Sequence, residues 1–281
     1  MDKILYMFKT FFTHKDYTDD NMLIGTLFTP MHFVVSAIWL ALVIGLAILL
    51  MKKGSDKTVK KVFTILWIAL VSLELIKILW ETYSGPTANF EVFGMLPLYP
   101  CSIMMYALPF AIWGNEIMKK CAYGYICTLG LLGATINFFY PATILPNYSV
   151  ISFAGFHTMF YHSTMLFIAL IVILKGYNRY KAEKWIDLLY PSVVSLVFSI
   201  PVVILDYALE VDYMWFRGTS MFLPAIFGDT PKPIVTVIIY ALYIIVPALF
   251  FLPSFIKNQI SKNLANSKIF LLHNRKNNDI L

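Results

Sequence analysis

The sequence predicts an all-α polytopic membrane protein, a bundle of about seven transmembrane helices. Hydrophobic residues make up 59% of the chain and charged residues only 14%, a composition outside the soluble range. A bilayer core about 30 Å thick requires roughly 20 mostly apolar residues per helix, and several segments reach that length. The segments predicted to span are Pro30–Leu50, Val59–Trp80, Leu96–Trp113, Met118–Phe139, Ile151–Leu174, Trp185–Asp206 and Lys232–Phe255.

The loop charges predict the orientation of this bundle. Lys and Arg in short loops are retained on the cytoplasmic side. The loops after the first, third and fifth segments are basic, whereas 81–95 and 140–150 contain no Lys or Arg. We therefore expect an outside N-terminus and a cytoplasmic C-terminus. The net charge of +6 suits anionic headgroups, so we expect no nucleic acid partner.

The predicted segments and the loop charges divide the chain into three parts. They predict a multi-pass protein of the cell membrane. Residues 1–29 form an extracellular segment, in which Ile4, Phe8, Phe11 and Phe12 indicate a short interfacial helix. Residues 30–256 form the seven-helix transmembrane domain, and 257–281 form a basic cytoplasmic tail. No cleavable signal peptide and no internal repeat is expected.

Ionisable side chains are concentrated in the outer halves of the predicted helices. Glu74, Lys77 and Glu81 share one face of the second segment, because they are spaced by three and four residues. The other polar residues placed in the outer halves are His32, Cys101, Asn137, His157, His162 and Asp206. Charged groups within a bilayer normally face the bundle interior or a wet cavity. The pattern therefore predicts a polar pocket open toward the outer leaflet.

Each of these residues also has a purely structural interpretation. Glu74 and Lys77 could be an ion pair that holds the second helix in the bundle. His32 and Asp206 could be interfacial anchors near helix ends, and Asn137 could form only a bond between helices.

The two histidines of the fifth segment lie five residues apart, about 140° around a helix. His157 and His162 are therefore not both expected to face one pocket. We expect no metal site, since no pair of ligands has the i, i+4 spacing of a zinc helix. A site shared by His32, His162 and Glu74 from three helices remains the alternative.

Cys101 differs from the other two cysteines, Cys121 and Cys127, which read as packing residues. It follows Pro97 and Pro100, which disturb helical hydrogen bonding beside the thiol. A cysteine attacks as its thiolate, and a neighbouring histidine takes its proton. Cys101 and His162 could form such a pair if the third and fifth helices touch. Phosphate-binding loops, GxSxG elbows and dinucleotide fingerprints are missing from the sequence, and we expect no cofactor.

Four short stretches also carry a family resemblance. They are Glu74 to Trp80, Leu96-Pro97-Leu98-Tyr99-Pro100-Cys101-Ser102, Phe160-Tyr161-His162-Ser163 and Asp212-Tyr213-Met214. In these the chain resembles the YwaF-like bacterial integral membrane proteins, a group similar to animal transmembrane protein 164. That animal protein is an ether-phospholipid acyltransferase proposed to use a cysteine.

The resemblance implies roles for individual residues. Cys101 matches the family cysteine, and His162 matches the family histidine of the fifth predicted segment. Glu74 matches the family acid of the second segment, and His32 matches the family histidine of the first. Two positions depart from the family pattern: Tyr99 stands where the family has a histidine, and Asp212 where it has an asparagine.

These observations predict intramembrane lipid acyl transfer, by an acyltransferase or a lipid-ester hydrolase. Cys101 would attack a lipid acyl ester, with His162 as general base and then acid, and membrane lipids would be the partners. The residues expected to bind or orient the substrate are Glu74, Lys77, His32, Tyr99, Asn137, His157, Asp206, Asp212 and Tyr213. The loop 207–230 could be an interfacial lid or a simple membrane anchor.

Two other classes of protein use the same features differently. A non-enzymatic transporter or a lipid- or small-molecule-binding protein would use the outward cavity, with Glu74 and Lys77 as the coupling or substrate pair. Pro191 and Pro201 in the sixth segment fit the broken helices of transporters. A sensor or assembly subunit without chemistry is the third possibility.

Overall fold

The computed structural model describes residues 10–14, 26–85, 90, 95–177, 182, 184–220 and 223–278, with side chains described up to residue 264. Every regular element within these residues is helical, which confirms the all-α prediction. In chain order they are α1 (Pro30–Lys53), α2 (Asp56–Ser84), a 3-10 turn (Pro100–Ser102), α3 (Ile103–Trp113), α4 (Glu116–Tyr125), a π turn (Ile126–Gly130), α5 (Leu131–Phe139), α6 (Phe153–Leu174), a second 3-10 turn (Trp185–Leu188), α7 (Tyr190–Ala208), α8 (Leu223–Phe227) and α9 (Lys232–Asn278).

Six spans in the described part of the chain are long and apolar enough to cross a membrane. Five of them are the single helices α1, α2, α6, α7 and α9. The sixth is the continuous span Glu116–Phe139, which consists of α4, the π turn and α5. The third predicted segment corresponds to a shorter apolar helix, Pro100–Trp113. It starts later than Leu96 because Pro97 and Pro100 lack the N–H groups that an α-helix needs. The predicted multi-helix bundle is therefore confirmed, with six long spans and one shorter apolar helix in the residues that the structure describes.

Polar residues at the starts of the helices explain where they begin. The side chains of Thr29, Ser55, Asn115 and Ser152 accept hydrogen bonds from backbone N–H groups in the first turns of α1, α2, α4 and α6. Such caps satisfy N–H groups that have no partner within the helix.

α6 is the most buried of the six spans, because 72% of the residues in its most apolar 18-residue stretch are buried inside the protein. It packs against α1, α2 and α5. The starts of α1 and α6 lie together, since Val150 N donates to Thr26 Oγ1 at 2.8 Å. At their other ends Lys175 Nζ donates to the Gly54 carbonyl at 2.7 Å. We call the end of the bundle at which α1 and α6 begin the upper end.

α4 and α7 approach each other closely at Gly124. A Cβ atom built on Gly124 would lie 2.7 Å from Pro191 Cα, so only glycine permits this approach. Pro191 is in the first turn of α7, where its missing N–H costs no helical bond.

Several predicted boundaries differ in the structure, and the largest difference within the described residues is at the C-terminal end. α9 continues from Lys232 to Asn278, past the predicted end at Phe255. In the N-terminal segment, Ile4 and Phe8 lie outside the described residues.

Candidate functional site

A cluster of three charged or titratable side chains joins α2 to α6 inside the bundle. Lys77 Nζ lies 3.0 Å from Glu74 Oε1, and His157 Nε2 lies 3.1 Å from Glu74 Oε2. The exposed fractions of the three side chains are 6% for Glu74, 14% for Lys77 and 9% for His157. A buried carboxylate is costly unless it is paired. Glu74 meets that requirement with a partner on its own helix and a second on α6. We call these residues the Glu74 cluster.

Cys101 lies in the 3-10 turn that precedes α3, with its side chain partly exposed. The turn is closed by a hydrogen bond from Ser102 N to the Tyr99 carbonyl at 2.9 Å. A second bond, from Tyr125 Oη to the Pro100 carbonyl at 2.8 Å, ties it to α4. The thiol is within electrostatic range of Glu74 and Lys77. The fold therefore places the cysteine in a fixed 3-10 turn near the Glu74 cluster.

His162 is buried on α6 and has one ring nitrogen engaged. Its Nδ1 lies 2.8 Å from the Thr158 carbonyl. A carbonyl oxygen only accepts hydrogen bonds, so Nδ1 carries the proton, and Nε2 of the neutral ring keeps a lone pair. Among the described residues, no hydrogen bond joins His162 or His157 to the Cys101 thiol. Of the two histidines, the structure joins His157 to Glu74 and leaves His162 with a nitrogen able to accept a proton.

Two buried aspartates organise the loop after α7. Asp206 Oδ1 accepts from Tyr213 N at 2.9 Å. Asp212 accepts four hydrogen bonds, from the N–H groups of Arg217, Thr219 and Ser220 and from the Thr219 hydroxyl. Both carboxylates are thus engaged by the loop backbone, and Asp206 is fully buried rather than exposed at an interface. Tyr213 in this loop packs edge-to-face on Tyr99, with ring centroids 5.2 Å apart.

His32 and Asn137 lie at the upper end of the bundle, where α1 meets α5. His32 is fully buried beside the Phe138 backbone, and its ring stacks on Phe33 with centroids 4.9 Å apart. Asn137 is buried, and its Nδ2 forms no hydrogen bond within the described residues. No described hydrogen bond or ion pair joins either side chain to Cys101 or to the Glu74 cluster.

Glu81, which the helical spacing placed on the same face as Glu74, has a different partner. His14 Nε2 lies 3.0 Å from Glu81 Oε2, and the His14 side chain is buried. The next residue of α2 inward, Trp80, donates from Nε1 to the Phe12 carbonyl at 2.9 Å. The segment 10–14 is therefore fixed to the last turns of α2.

This segment forms part of an aromatic layer above the Glu74 cluster. Phe12 packs on Phe153 with ring centroids 5.5 Å apart, and Trp80 contacts Phe153 at 5.1 Å. Phe153 in turn contacts His157 at 6.5 Å. We call Phe12, Trp80 and Phe153 the aromatic cover. It lies at the upper end of the bundle, because Phe153 is the first residue of α6.

Within the described part of the chain, no three or more His, Cys, Asp or Glu side chains are grouped so as to hold a metal ion. His32, Glu74 and His162 in particular do not meet in such a group. Sequence reasoning also passed over Tyr161 and Tyr243, buried tyrosines within electrostatic range of Cys101. Tyr161 belongs to a stretch that carries the family resemblance, but tyrosines in apolar helices usually indicate interfacial anchors, so no role was assigned to either residue.

The fold and the buried polar residues define a multi-pass α-helical membrane protein with an ionisable site inside its helix bundle. The chain belongs to the TMEM164 family, whose model matches residues 27–259. The match includes every residue from His32 to Tyr243 discussed above, and it confirms the resemblance to the transmembrane protein 164 family. Neither a curated protein nor a solved structure matches the chain.

Proposed function

We propose that this protein transfers acyl groups of membrane lipids within the cell membrane. The observation that carries the proposal is the position of Cys101. Its thiol lies in a fixed turn beside the buried Glu74 cluster, in a bundle that belongs to the TMEM164 family. The resemblance to a cysteine-dependent phospholipid acyltransferase supplies the reaction class.

In the proposed first step, His162 Nε2 takes the thiol proton and the Cys101 thiolate attacks the carbonyl carbon of a lipid ester. A C–S bond forms, and one electron pair of the carbonyl moves onto its oxygen. The tetrahedral intermediate then collapses and breaks the C–O bond to the lysolipid. The departing oxygen receives the proton from His162, which leaves an acyl thioester on Cys101.

In the second step, the thioester passes its acyl group to an acceptor hydroxyl. His162 removes the acceptor proton, the new C–O bond forms, and the C–S bond breaks. His162 then returns the proton to the sulfur, which regenerates the thiol. A lysolipid acceptor gives acyl transfer, and water gives hydrolysis. The Thr158 carbonyl supports both steps, because it holds the His162 proton on Nδ1 and keeps Nε2 available.

The Glu74 cluster is proposed to hold the lipid headgroup. The Lys77 ammonium has N–H groups beyond the one that faces Glu74, and the Glu74 carboxylate holds Lys77 and His157 in place. Ammonium groups are common phosphate ligands in proteins. With the outside N-terminus expected from the loop charges, the headgroup would come from the outer leaflet, and the aromatic cover would direct entry sideways from the bilayer.

The test is to detect the acyl thioester. Purified protein in detergent micelles would be incubated with diacyl phosphatidylethanolamine carrying an isotopically labelled acyl chain. Intact-protein mass spectrometry would measure the adduct, and hydroxylamine would remove it. We expect an adduct at Cys101 that is absent from Cys101→Ala, with formation slowed about 100-fold in His162→Ala.

Cys127→Ala is the matched control, because Cys127 is a buried cysteine in the same bundle and its removal should leave the adduct unchanged. If the wild-type protein forms no adduct and no lysolipid, the enzymatic proposal is wrong. The Glu74 cluster would then favour the alternative of a lipid-binding or transport protein. Binding of the same lipid, lost in Lys77→Ala, would identify that class.

A further inference from the structure

Two tyrosine hydroxyls near Cys101 are buried without a hydrogen-bond partner. Tyr161 is 3% exposed and Tyr243 is 7% exposed. Neither hydroxyl forms a hydrogen bond within the described residues. They come from different helices, α6 and α9, so the two observations are independent of each other.

Such groups are rare in folded proteins, because a buried hydroxyl without a partner loses its bonds to water and gains nothing in return. Two other tyrosines of this bundle have hydrogen-bonded hydroxyls. Tyr125 donates to the Pro100 carbonyl at 2.8 Å, and Tyr123 donates to the Ala111 carbonyl at 3.0 Å. The two unsatisfied hydroxyls therefore call for a ligand atom.

Both unsatisfied tyrosines are neighbours of the same thiol. Tyr161 is within electrostatic range of Cys101 and Glu74, and Tyr243 is within range of Cys101 and Asp206. Their other charged neighbours differ, since Glu74 is near Tyr161 and Asp206 is near Tyr243. The Cys101 turn itself is fixed by the hydrogen bond from Tyr125 to the Pro100 carbonyl.

We propose that the hydroxyls of Tyr161 and Tyr243 donate hydrogen bonds to the oxygen that becomes negative when Cys101 attacks a lipid ester. This inference rests on the proposed acyl transfer and names two further residues for it. A phenol donates one hydrogen bond through its O–H group. Donors placed in advance around a developing oxyanion stabilise the transition state strongly in a site without bulk water. The oxygen of the ester thus satisfies the two hydroxyls that the protein leaves unpaired.

The proposal predicts opposite effects on activity and on stability. Replacing either tyrosine by phenylalanine removes the oxyanion donor but keeps the ring and its packing. Thioester formation should fall on the order of 100-fold. The melting temperature should rise, because the substitution also removes an unsatisfied buried hydroxyl. If a tyrosine were needed only for structure, its replacement would lower the rate of thioester formation and the melting temperature together.

The experiment compares Tyr161→Phe and Tyr243→Phe with Tyr123→Phe, a control that deletes a partnered hydroxyl. Each purified variant would be assayed for acyl-thioester formation from diacyl phosphatidylethanolamine and, in parallel, for alkylation of Cys101 by iodoacetamide. Alkylation displaces iodide and forms no oxyanion. The proposal expects slow acylation with unchanged alkylation in both test variants, and normal acylation in Tyr123→Phe.

Acylation at the wild-type rate in both test variants would overturn this inference and leave the acyl-transfer proposal intact. Equal losses of acylation and alkylation would also overturn it, since the tyrosines would then act on the thiol itself. A wild-type protein that is alkylated but never acylated would overturn the acyl-transfer proposal, and the inference would fall with it.

Discussion

The carboxylate of Glu74 in α2 lies 3.1 Å from His157 Nε2 in α6, so a buried polar contact joins two helices across the bundle. The same carboxylate lies 3.0 Å from Lys77 Nζ. One buried acid thus holds both a lysine and a histidine in place.

The first prediction concerns this shared carboxylate. Glu74→Gln should destabilise the protein by about 3–5 kcal/mol, because it leaves Lys77 buried without its counter-charge. Unfolding of the purified protein in mixed SDS micelles measures the change. Glu116 and Lys119 form a pair with the same spacing, but the Glu116 side chain is 93% exposed. Glu116→Gln should leave stability unchanged, and equal effects at the two sites would contradict the prediction.

The second prediction concerns the close approach of α4 and α7. In Gly124→Ala the new Cβ would lie 2.7 Å from Pro191 Cα, so the helices must separate at a cost of about 1–3 kcal/mol. A Cβ added to Gly133, in the same span, would meet nothing within 4 Å. Gly133→Ala should therefore be neutral or stabilising by up to about 1 kcal/mol. Thermal melting in detergent measures both, and a neutral Gly124→Ala would show that the contact is not tight.

The third prediction concerns the loop after α7. Asp212→Asn should destabilise it by about 2 kcal/mol or more, because the amide replaces an oxygen that accepts hydrogen bonds from backbone N–H groups. Limited proteolysis at residues 212–220 measures the loss. Asp229 is exposed, so Asp229→Asn serves as the control. A loop as resistant as the wild type would mean that the four bonds of Asp212 contribute little.

The fourth prediction concerns the N-terminal segment. His14→Ala removes the contact with Glu81, so we expect faster hydrogen–deuterium exchange both in residues 10–14 and in the last turn of α2. Tyr83 lies in that same turn and is 70% exposed, which makes Tyr83→Ala the control. Unchanged exchange in His14→Ala would show that the Trp80 hydrogen bond and the aromatic contacts hold the segment without His14.

The fold was predictable wherever a single local property decides it. Long apolar runs gave α1, α2 and α6 close to their observed bounds, because spanning helices are set by length and hydropathy. The third segment was less predictable, because a 3-10 turn at Pro100 precedes its α-helix. The residue at which that α-helix begins depends on contacts such as the hydrogen bond from Tyr125 to the Pro100 carbonyl. Such contacts between distant residues are invisible in a local pattern.

The site was predictable only in part for the same reason. The spacing of Glu74 and Lys77 placed them together, and the structure has them 3.0 Å apart. That spacing also placed Glu81 with them, but its partner is His14, which is distant in sequence. The contact between His157 and Glu74 depends on how α6 packs on α2. The hydroxyls of Tyr161 and Tyr243 are unsatisfied because no acceptor or donor of the described residues lies within hydrogen-bonding distance. Only the folded structure shows this.

The π turn at Ile126–Gly130 interrupts an otherwise regular span from Glu116 to Phe139. Leu131 N bonds to the Ile126 carbonyl, five residues back, so this turn holds one residue more than an α-helical turn. One residue corresponds to about 100° of rotation. A one-residue deletion between 126 and 130 would restore regular winding, yet it would rotate Asn137 and Phe138 away from α1. The extra residue of the π turn therefore sets which side chains of α5 face α1.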